Sequence, residues 1–204
     1  MFRVEDKIPL NGLELSKAKT ILEKNKAKIL YPRRLISSIY FDNFHLDMFL
    51  ESEEGISPRK KIRIRTYNNS FKKILLEKKI TSPEGRYKSS EEITDLKMNF
   101  YLKNGLLDKD YGQCFPITEV VYFRDYYLYK DVRITIDSKI KFRQFNKKCF
   151  ISTDKNVMEF KPNKNDNLEI IDGLIPGRKA RFSKYVFSIL DNQILQKRNS
   201  IFVK

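Results

Sequence analysis

The chain has little of what nucleophilic triads and soft-metal sites are made from: its 204 residues include two cysteines, Cys114 and Cys149, and one histidine, His45. The cysteines stand far apart without a CxxC or Cys/His cluster, so neither zinc nor a disulfide scaffold is indicated and a reduced, cytoplasmic setting is expected. A single histidine excludes a His-dense metal centre. It also argues against triad chemistry, which needs an imidazole held by a carboxylate beside a nucleophile, so His45 is read as structural. There is no GxxxxGK[ST] loop and no kinase signature, which excludes a P-loop nucleotide enzyme and a protein kinase. No apolar run reaches membrane-spanning length, and Met1 to Lys7 is charged rather than the opening of a signal peptide. A soluble protein is expected, drawn to a membrane only by its basic surface or by partners. No internal repeat or low-complexity linker is found, and the length fits one domain over residues 1–204.

Negative charge is the other shortage. Lys plus Arg number 41 against 26 Asp plus Glu, a formal balance of +15, which points to phosphate-rich partners or anionic surfaces. The bases are also patterned. Arg3-Val-Glu5-Asp-Lys7, Lys61-Ile-Arg63-Ile-Arg65, Glu77-Lys-Lys79, Arg133-Ile-Thr-Ile-Asp137 and Glu159-Phe-Lys161 each set charged residues two or four apart. In a strand, positions i, i+2 and i+4 share a face, so each segment presents a cationic row studded with carboxylates. A polar-out, apolar-in strand facing water is the plain alternative for any one of them. Five rows of the same kind instead suggest a common binding site for something highly anionic.

The remaining pattern is mostly strands. Phe2 to Leu10 alternates, and Leu13 to Leu30 has apolar residues at helical spacing among lysines. Ser37 to Asp42 is a short strand, and Glu51 to Lys60, with Gly55 and Pro58, is a loop. Lys61 to Tyr67 and Ile74 to Ile80 flank Asn68-Asn69-Ser70 as a hairpin, because Asn tolerates positive φ. Arg86 to Ser89 starts a strand, and Glu91 to Lys103 is a helix stopped at Asn104-Gly105. Pro116 to Tyr129 and Asp131 to Phe142 form a long hairpin, Val157 to Lys161 is a strand ended by Pro162, and Lys164 to Leu168 is too polar for a core. Phe182 to Leu195 is an apolar-faced helix. Many antiparallel strands with three helices and no βαβ alternation make a β-rich α+β domain or a closed barrel.

Arg63 and Arg65 on one face offer planar forks for phosphate oxygens, with Arg133, Arg124 and Arg3 adding more and Lys7, Lys79, Lys88 and Lys161 supplying point charges. Such a site stabilises the charge on a transferring phosphoryl group. Glu5, Glu77 and Glu159 would repel a phosphate unless a divalent cation lies between them, which argues for Mg²⁺ or Mn²⁺. Ion pairing with the neighbouring bases is the alternative.

Arg3-x-Glu5-x-Lys7, Ser38-Ile-Tyr-Phe-Asp42, Lys61-Ile-Arg-Ile-Arg-Thr-Tyr67, Leu76-Glu-Lys-Lys79, Tyr122-Phe-Arg124, Arg133-Ile-Thr-Ile-Asp137, Met158-Glu-Phe-Lys161 and Phe182-Ser-Lys-Tyr185 occur in that order along nearly the whole chain. In this the sequence resembles the VTC domain, the polyphosphate polymerase domain of vacuolar transporter chaperone proteins and their bacterial relatives, a branch of the triphosphate tunnel metalloenzymes. The resemblance implies a closed, antiparallel eight-stranded β-barrel with flanking helices, whose charged interior holds a nucleoside triphosphate and the growing polyphosphate. It implies transfer of the γ-phosphoryl of ATP onto polyphosphate with a divalent metal, usually Mn²⁺. Carried onto matching positions, Arg63, Arg65, Lys79, Arg124, Arg133, Lys161 and Lys7 would bind phosphates, with Lys184 at the tunnel end and Glu159 on the metal. Arg86 and Lys88 stand where the family has a basic strand. Arg3 replaces the first Glu of the Glu-x-Glu-x-Lys opening found in tunnel triphosphatases and CYTH proteins, which favours the polymerase branch. The chain lacks an SPX region and a membrane segment, so coupling of synthesis to transport would need a separate membrane protein.

The expected activity is therefore a metal-dependent polyphosphate polymerase using ATP, whose acceptor phosphate is already ionised and needs no strong base. The alternatives are a triphosphatase acting on nucleoside or inorganic triphosphate, and a silent module binding polyphosphate or inositol phosphates. Nucleic acid ranks below these because the bases lie on alternating strand rows.

Overall fold

The structure, a computed structural model, describes residues 6–68, 70–162 and 177–191. It opens with β1 (Asp6–Leu10) and α1 (Gly12–Lys24). Asn11 caps α1 in a capping box with Glu14, each side chain taking the other's backbone N–H. The helix stops earlier than its apolar spacing suggests, because Asn25 caps it and Lys26 turns left-handed at φ 55°. Ile29 and Leu30 then belong to β2 (Lys28–Asp42), which is much longer than the strand expected from Ser37. The expected loop after it is partly helical, as α2 (Asp47–Glu54).

β3 (Arg59–Tyr67) and β4 (Ser70–Ser82) form the expected antiparallel hairpin, with Asn68 at φ 53° in its turn. β5 (Gly85–Ile93) leads into α3 (Asp95–Asn104), whose last turn is closed by Gly105 at φ 77°. A Cβ on Gly105 would lie 2.5 Å from the Cys114 carbonyl oxygen, so this position requires glycine on two counts. β6 (Leu106–Asp108) pairs with β7 (Gly112–Tyr129), which turns through Lys130 and Asp131, both at positive φ, into β8 (Val132–Gln144). β9 (Ile151–Ser152), β10 (Asn156–Pro162) and a helix over 184–191, α4, complete the described elements. The proposed segments at Phe2 to Glu5, Lys164 to Leu168 and beyond 191 lie outside the described residues.

The architecture is α+β, a strand-rich antiparallel sheet with four helices among the described residues. Its ladders run β1-β10-β8-β7-β2-β3-β4-β5, with β6 on β7 and β9 on β8. Among the described residues no ladder joins β1 to β5, so the sheet is open and the closed barrel implied by the resemblance is not formed. The two ends explain why. Pro9 takes an N–H from β1, and β5 is exposed along most of its length with Arg86, Lys88, Glu91 and Glu92, features that blunt a sheet edge against pairing.

The residues gather into two compact units. One draws on Met1–Leu35, Tyr122–Ile140 and Ser152–Phe182, the other on Ile36–Val121, Lys141–Ile151 and Ser183–Lys204. In the first, α1 buries Ala18 and Leu22 against Ile8, Leu10, Val132, Ile134, Ile136, Met158 and Phe160. These are alternate residues of β1, β8 and β10, so the intervening residues are left to form an opposite face. In the second, α2 packs on β3 and α3 on β4. There Ile62 and Ile64 are buried, and Lys61, Arg63 and Arg65 alternate with them. Lys60 shares the apolar side and is itself buried, meeting Asp108 and Asp110 at 2.6 Å each. Lys78 reaches the other Asp108 oxygen at 2.9 Å. Burial would raise the Asp108 carboxyl, but these two ammonium groups hold it down at about 2, so β6 is clipped to the hairpin by charge.

Candidate functional site

In the second unit the ladders line up the charged rows. Tyr40 pairs with Arg63, which pairs with Glu77, which pairs with Ser90; beside that row, Lys61, Lys79 and Lys88 lie in register, as do Ser38 and Arg65. Directly opposed residues of an antiparallel pair project to the same side, so these groups share one face. Glu77 is its hub. With only 2% of its surface exposed, it takes Arg63 Nε and Nη2 on Oε2 at 2.7 Å and Arg65 Nη1 at 3.5 Å, while Lys88 and Ser90 meet Oε1. Burial opposes the charge on Glu77, yet Arg63, Arg65 and Lys88 together hold its carboxyl at about 2. Arg65 Nε also donates to Ser38 Oγ at 3.2 Å. Arg63 Nη1 donates to the Tyr40 hydroxyl at 3.1 Å, and Lys184 of α4 acts on that same hydroxyl, so Lys184 belongs electrostatically to the Arg63 group. Arg86, opposite Thr81, stands exposed near the edge.

The Glu77 hub makes a pH prediction. A folded pKa depressed below the ordinary 4.5 contributes stability that is fully present above 4.5 and lost as pH falls through about 2. The contribution is on the order of 3 kcal/mol, from the size of that shift. Glu77→Gln should therefore lower stability at neutral pH and flatten its dependence between those limits. Denaturant titrations at stepped acid pH measure both effects; a variant curve parallel to wild type would contradict the assignment.

The first unit holds the other predicted residues. Lys7 pairs with Glu159 and Glu159 with Thr135, while Lys161 pairs with Arg133. Glu159 is buried and its Oε1 meets Lys161 Nζ at 2.5 Å. Arg124 grips Asp137 through Nε and Nη2 at 2.5 and 2.7 Å. Burial disfavours the guanidinium charge, but Asp137 and, more weakly, Glu159 hold its pKa well above the ordinary value. Lys7 Nζ donates to the Phe182 carbonyl at 3.0 Å, and Arg133 ends its row exposed to solvent. Arg3 and Glu5 lie outside the described residues.

A divalent cation must find open carboxylate oxygens. Both Glu77 oxygens are filled by cations and Ser90, which is the ion-pair alternative rather than a metal site. Among the described residues, no three His, Cys, Asp or Glu side chains cluster to hold a metal. A phosphate-borne Mg²⁺ or Mn²⁺ needs only one or two protein carboxylates, and Glu159, the expected ligand in the first unit, is buried and ion-paired with Lys161.

The VTC domain profile matches residues 3–113 and 106–191. The chain belongs to the VTC domain family. No curated protein matches its sequence. Among solved structures, a candidate adenylate cyclase from Bacillus halodurans is similar with a TM-score of 0.62 at 13% identity, over 90% of this chain and 95% of that one. A candidate adenylyl cyclase from Hippeastrum, described as having a dominant triphosphatase activity, gives 0.56 at 16% identity over 89% and 93%. A protein from Pyrococcus horikoshii gives 0.53 at 14% identity over 83% and 85%. At such identities the likeness is one of fold.

Several residues of this VTC domain site carry no signal as bases or metal ligands, so the charge pattern alone passes over them. Tyr40 and Ser38 accept from Arg63 and Arg65. Their signal was the alternation Ser38-x-Tyr40-x-Asp42, which sets three polar groups on one side of β2. Asp42 turns out to be an anchor: fully buried, it accepts from the backbone of Asn43, Met48 and Phe49 and from the Tyr185 hydroxyl at 2.5 Å. His45 sits exposed in the turn between β2 and α2, edge-on to Phe44.

Proposed function

We propose that this VTC domain, acting as one tunnel-type domain over residues 1–204, is a metal-dependent enzyme that transfers the γ-phosphoryl of ATP to the end of a polyphosphate chain. The observation that supports it best is the Arg63, Arg65 and Lys88 set ion-paired to Glu77, with Lys184 acting on the Tyr40 hydroxyl that Arg63 bonds. A pre-paired guanidinium is already oriented and loses little freedom when phosphate oxygens arrive, and fixed cations stabilise the charge that develops during phosphoryl transfer.

In this reading Arg63, Arg65, Lys79 and Lys184 contact phosphate oxygens from the second unit, with Arg86 and Lys88 at its rim. Within the first unit, Lys7, Arg124, Arg133 and Lys161 are the proposed phosphate-binding residues. Arg3 joins them from outside the described residues. Glu159 would hold Mn²⁺ or Mg²⁺, which when bound neutralises phosphate charge. The acceptor is an ionised phosphate, so the protein must position and neutralise rather than deprotonate. A membrane protein remains the proposed partner for any transport of the product, with the domain itself cytoplasmic; among the described residues no helix is long and apolar enough to cross a membrane.

Incubating the protein with ATP and Mn²⁺ and separating products by size tests this. Chains longer than three phosphates are expected. Orthophosphate alone would place the chain with triphosphatases, an activity described for the Hippeastrum protein of the same fold. Binding without turnover would make it a polyanion module.

A further inference from the structure

Tyr40 occupies a position that the phosphate-binding cations alone do not explain. It is 4% exposed, directly opposite Arg63 across the β2–β3 ladder, and its hydroxyl oxygen accepts from Arg63 Nη1 at 3.1 Å. Its ring is stacked on Tyr185, centroids 5.1 Å apart and 19° from parallel. Tyr185 is fixed in turn by donating to Asp42, the residue that anchors α2. The phenol is thus held from behind by an aromatic stack and bonded by the donor-only guanidinium of Arg63, within the electrostatic reach of two further donor-only cations, Arg65 and Lys184. An oxygen that accepts from Arg63 still carries a proton of its own, and these cations have no lone pair to take it.

We propose that Tyr40 is a further substrate-contacting residue of this site, donating its phenolic proton to an oxygen of the phosphate chain that Arg63, Arg65 and Lys184 bind. This rests on the functional reading above and adds a neutral donor to it. Its electrostatics agree in direction. Burial pushes the Tyr40 phenol up, but Arg63, Arg65 and Lys184 outweigh burial and leave it below the ordinary 10.0. A more acidic phenol is a stronger donor to an anionic oxygen. The sign on binding follows: protonated Tyr40 assists the phosphate, and ionised Tyr40 repels it. The charged and titratable groups around it are Asp42 on β2, Arg63 and Arg65 on β3 with Glu77 and Lys88 behind them, and Lys184 and Tyr185 on α4.

Tyr40→Phe keeps the ring stack and removes only the hydroxyl. With inorganic triphosphate as the probe and no metal, calorimetric titration from neutral to alkaline pH should show affinity weakened about 10-fold or more at neutral pH. Wild-type affinity should also fall as pH rises through the phenol's titration, a limb that the variant lacks; lysine titration is common to both and cancels in the comparison. Equal affinities at neutral pH would overturn the proposal. So would a constant deficit at every pH with the alkaline limb retained, because that pattern means only that Arg63 lost a partner. A wild-type protein that binds no triphosphate would instead overturn the functional reading itself. Thermal unfolding of the variant close to that of wild type is expected, since the core contacts of the ring persist.

Discussion

Replacing Arg63 and Arg65 together by alanine is expected to weaken triphosphate binding by roughly 100-fold or more, because each charge-assisted hydrogen bond lost is worth about 1.5–3 kcal/mol. The same change should also destabilise the protein. Glu77 is buried between these two arginines and Lys88, and stripping a buried carboxylate of its main partners costs about 3–5 kcal/mol. The sequence alone suggests a binding row that could be removed with the fold intact; the burial of Arg65 and Glu77 says otherwise. A triple variant that adds Glu77→Gln separates the two effects. It should recover much of the stability, since no carboxylate is left stranded, and none of the affinity. Calorimetry with inorganic triphosphate and denaturant unfolding on the same samples decide it: a stable triple variant with wild-type affinity would mean that these arginines serve only the fold.

Strand rows were legible because a period of two is written directly into Lys61-Ile-Arg63-Ile-Arg65 and Glu159-Phe-Lys161, and one face of each strand is apolar for a core. The hairpins were legible from their turns and lengths. Helix α2 was not. Its N-cap residue, Leu46, stands in the left-handed region and offers no side-chain bond, and the first N–H groups are met instead by Asn43, on Asp47, and by Asp42 at the end of the preceding strand, on Met48 and Phe49. The end of α1 was misread for a related reason: Ile29 continues the helical spacing, yet it is a 75% exposed strand residue after the chain has reversed at Lys26. Periodicity reports which residues can share a face and does not report where the backbone turns.

The site shows the same division. Which bases lie on one face follows from alternation, but which carboxylate answers which base is fixed by strand register. Register sets Arg63 opposite Glu77, and the Arg124–Asp137 bond ties β7 to β8. Lys60 illustrates the limit: one residue out of phase with Lys61, it falls on the apolar side and spends its charge on Asp108. The count of 41 Lys and Arg therefore overstates what is offered to a ligand, since part of the cationic set is already matched inside the protein, a matching that the net +15 already subtracts.

Changing Glu159 to Gln should lower phosphoryl transfer by orders of magnitude while leaving metal-free triphosphate binding unchanged or tighter. Glu159 is 6% exposed and its carboxylate meets Lys161 at 2.5 Å, with Arg124 in its electrostatic reach. A carboxylate in that row works against phosphate and occupies Lys161, and the amide retains the shape without the charge, which releases Lys161 for the ligand. With Mn²⁺ present the sign reverses for wild type, because a cation bridging carboxylate and phosphate turns the repulsion into attraction. Triphosphate affinity measured with and without Mn²⁺ should then improve with metal in wild type and respond little in the variant, a difference that needs no turnover to be seen. An ion pair with Lys161 as the whole role of Glu159 predicts the opposite: equal metal dependence in both proteins and wild-type polyphosphate synthesis by the variant. In that event the carboxylate search moves to Glu5, since Glu77 already has its oxygens filled by Arg63, Arg65 and Lys88.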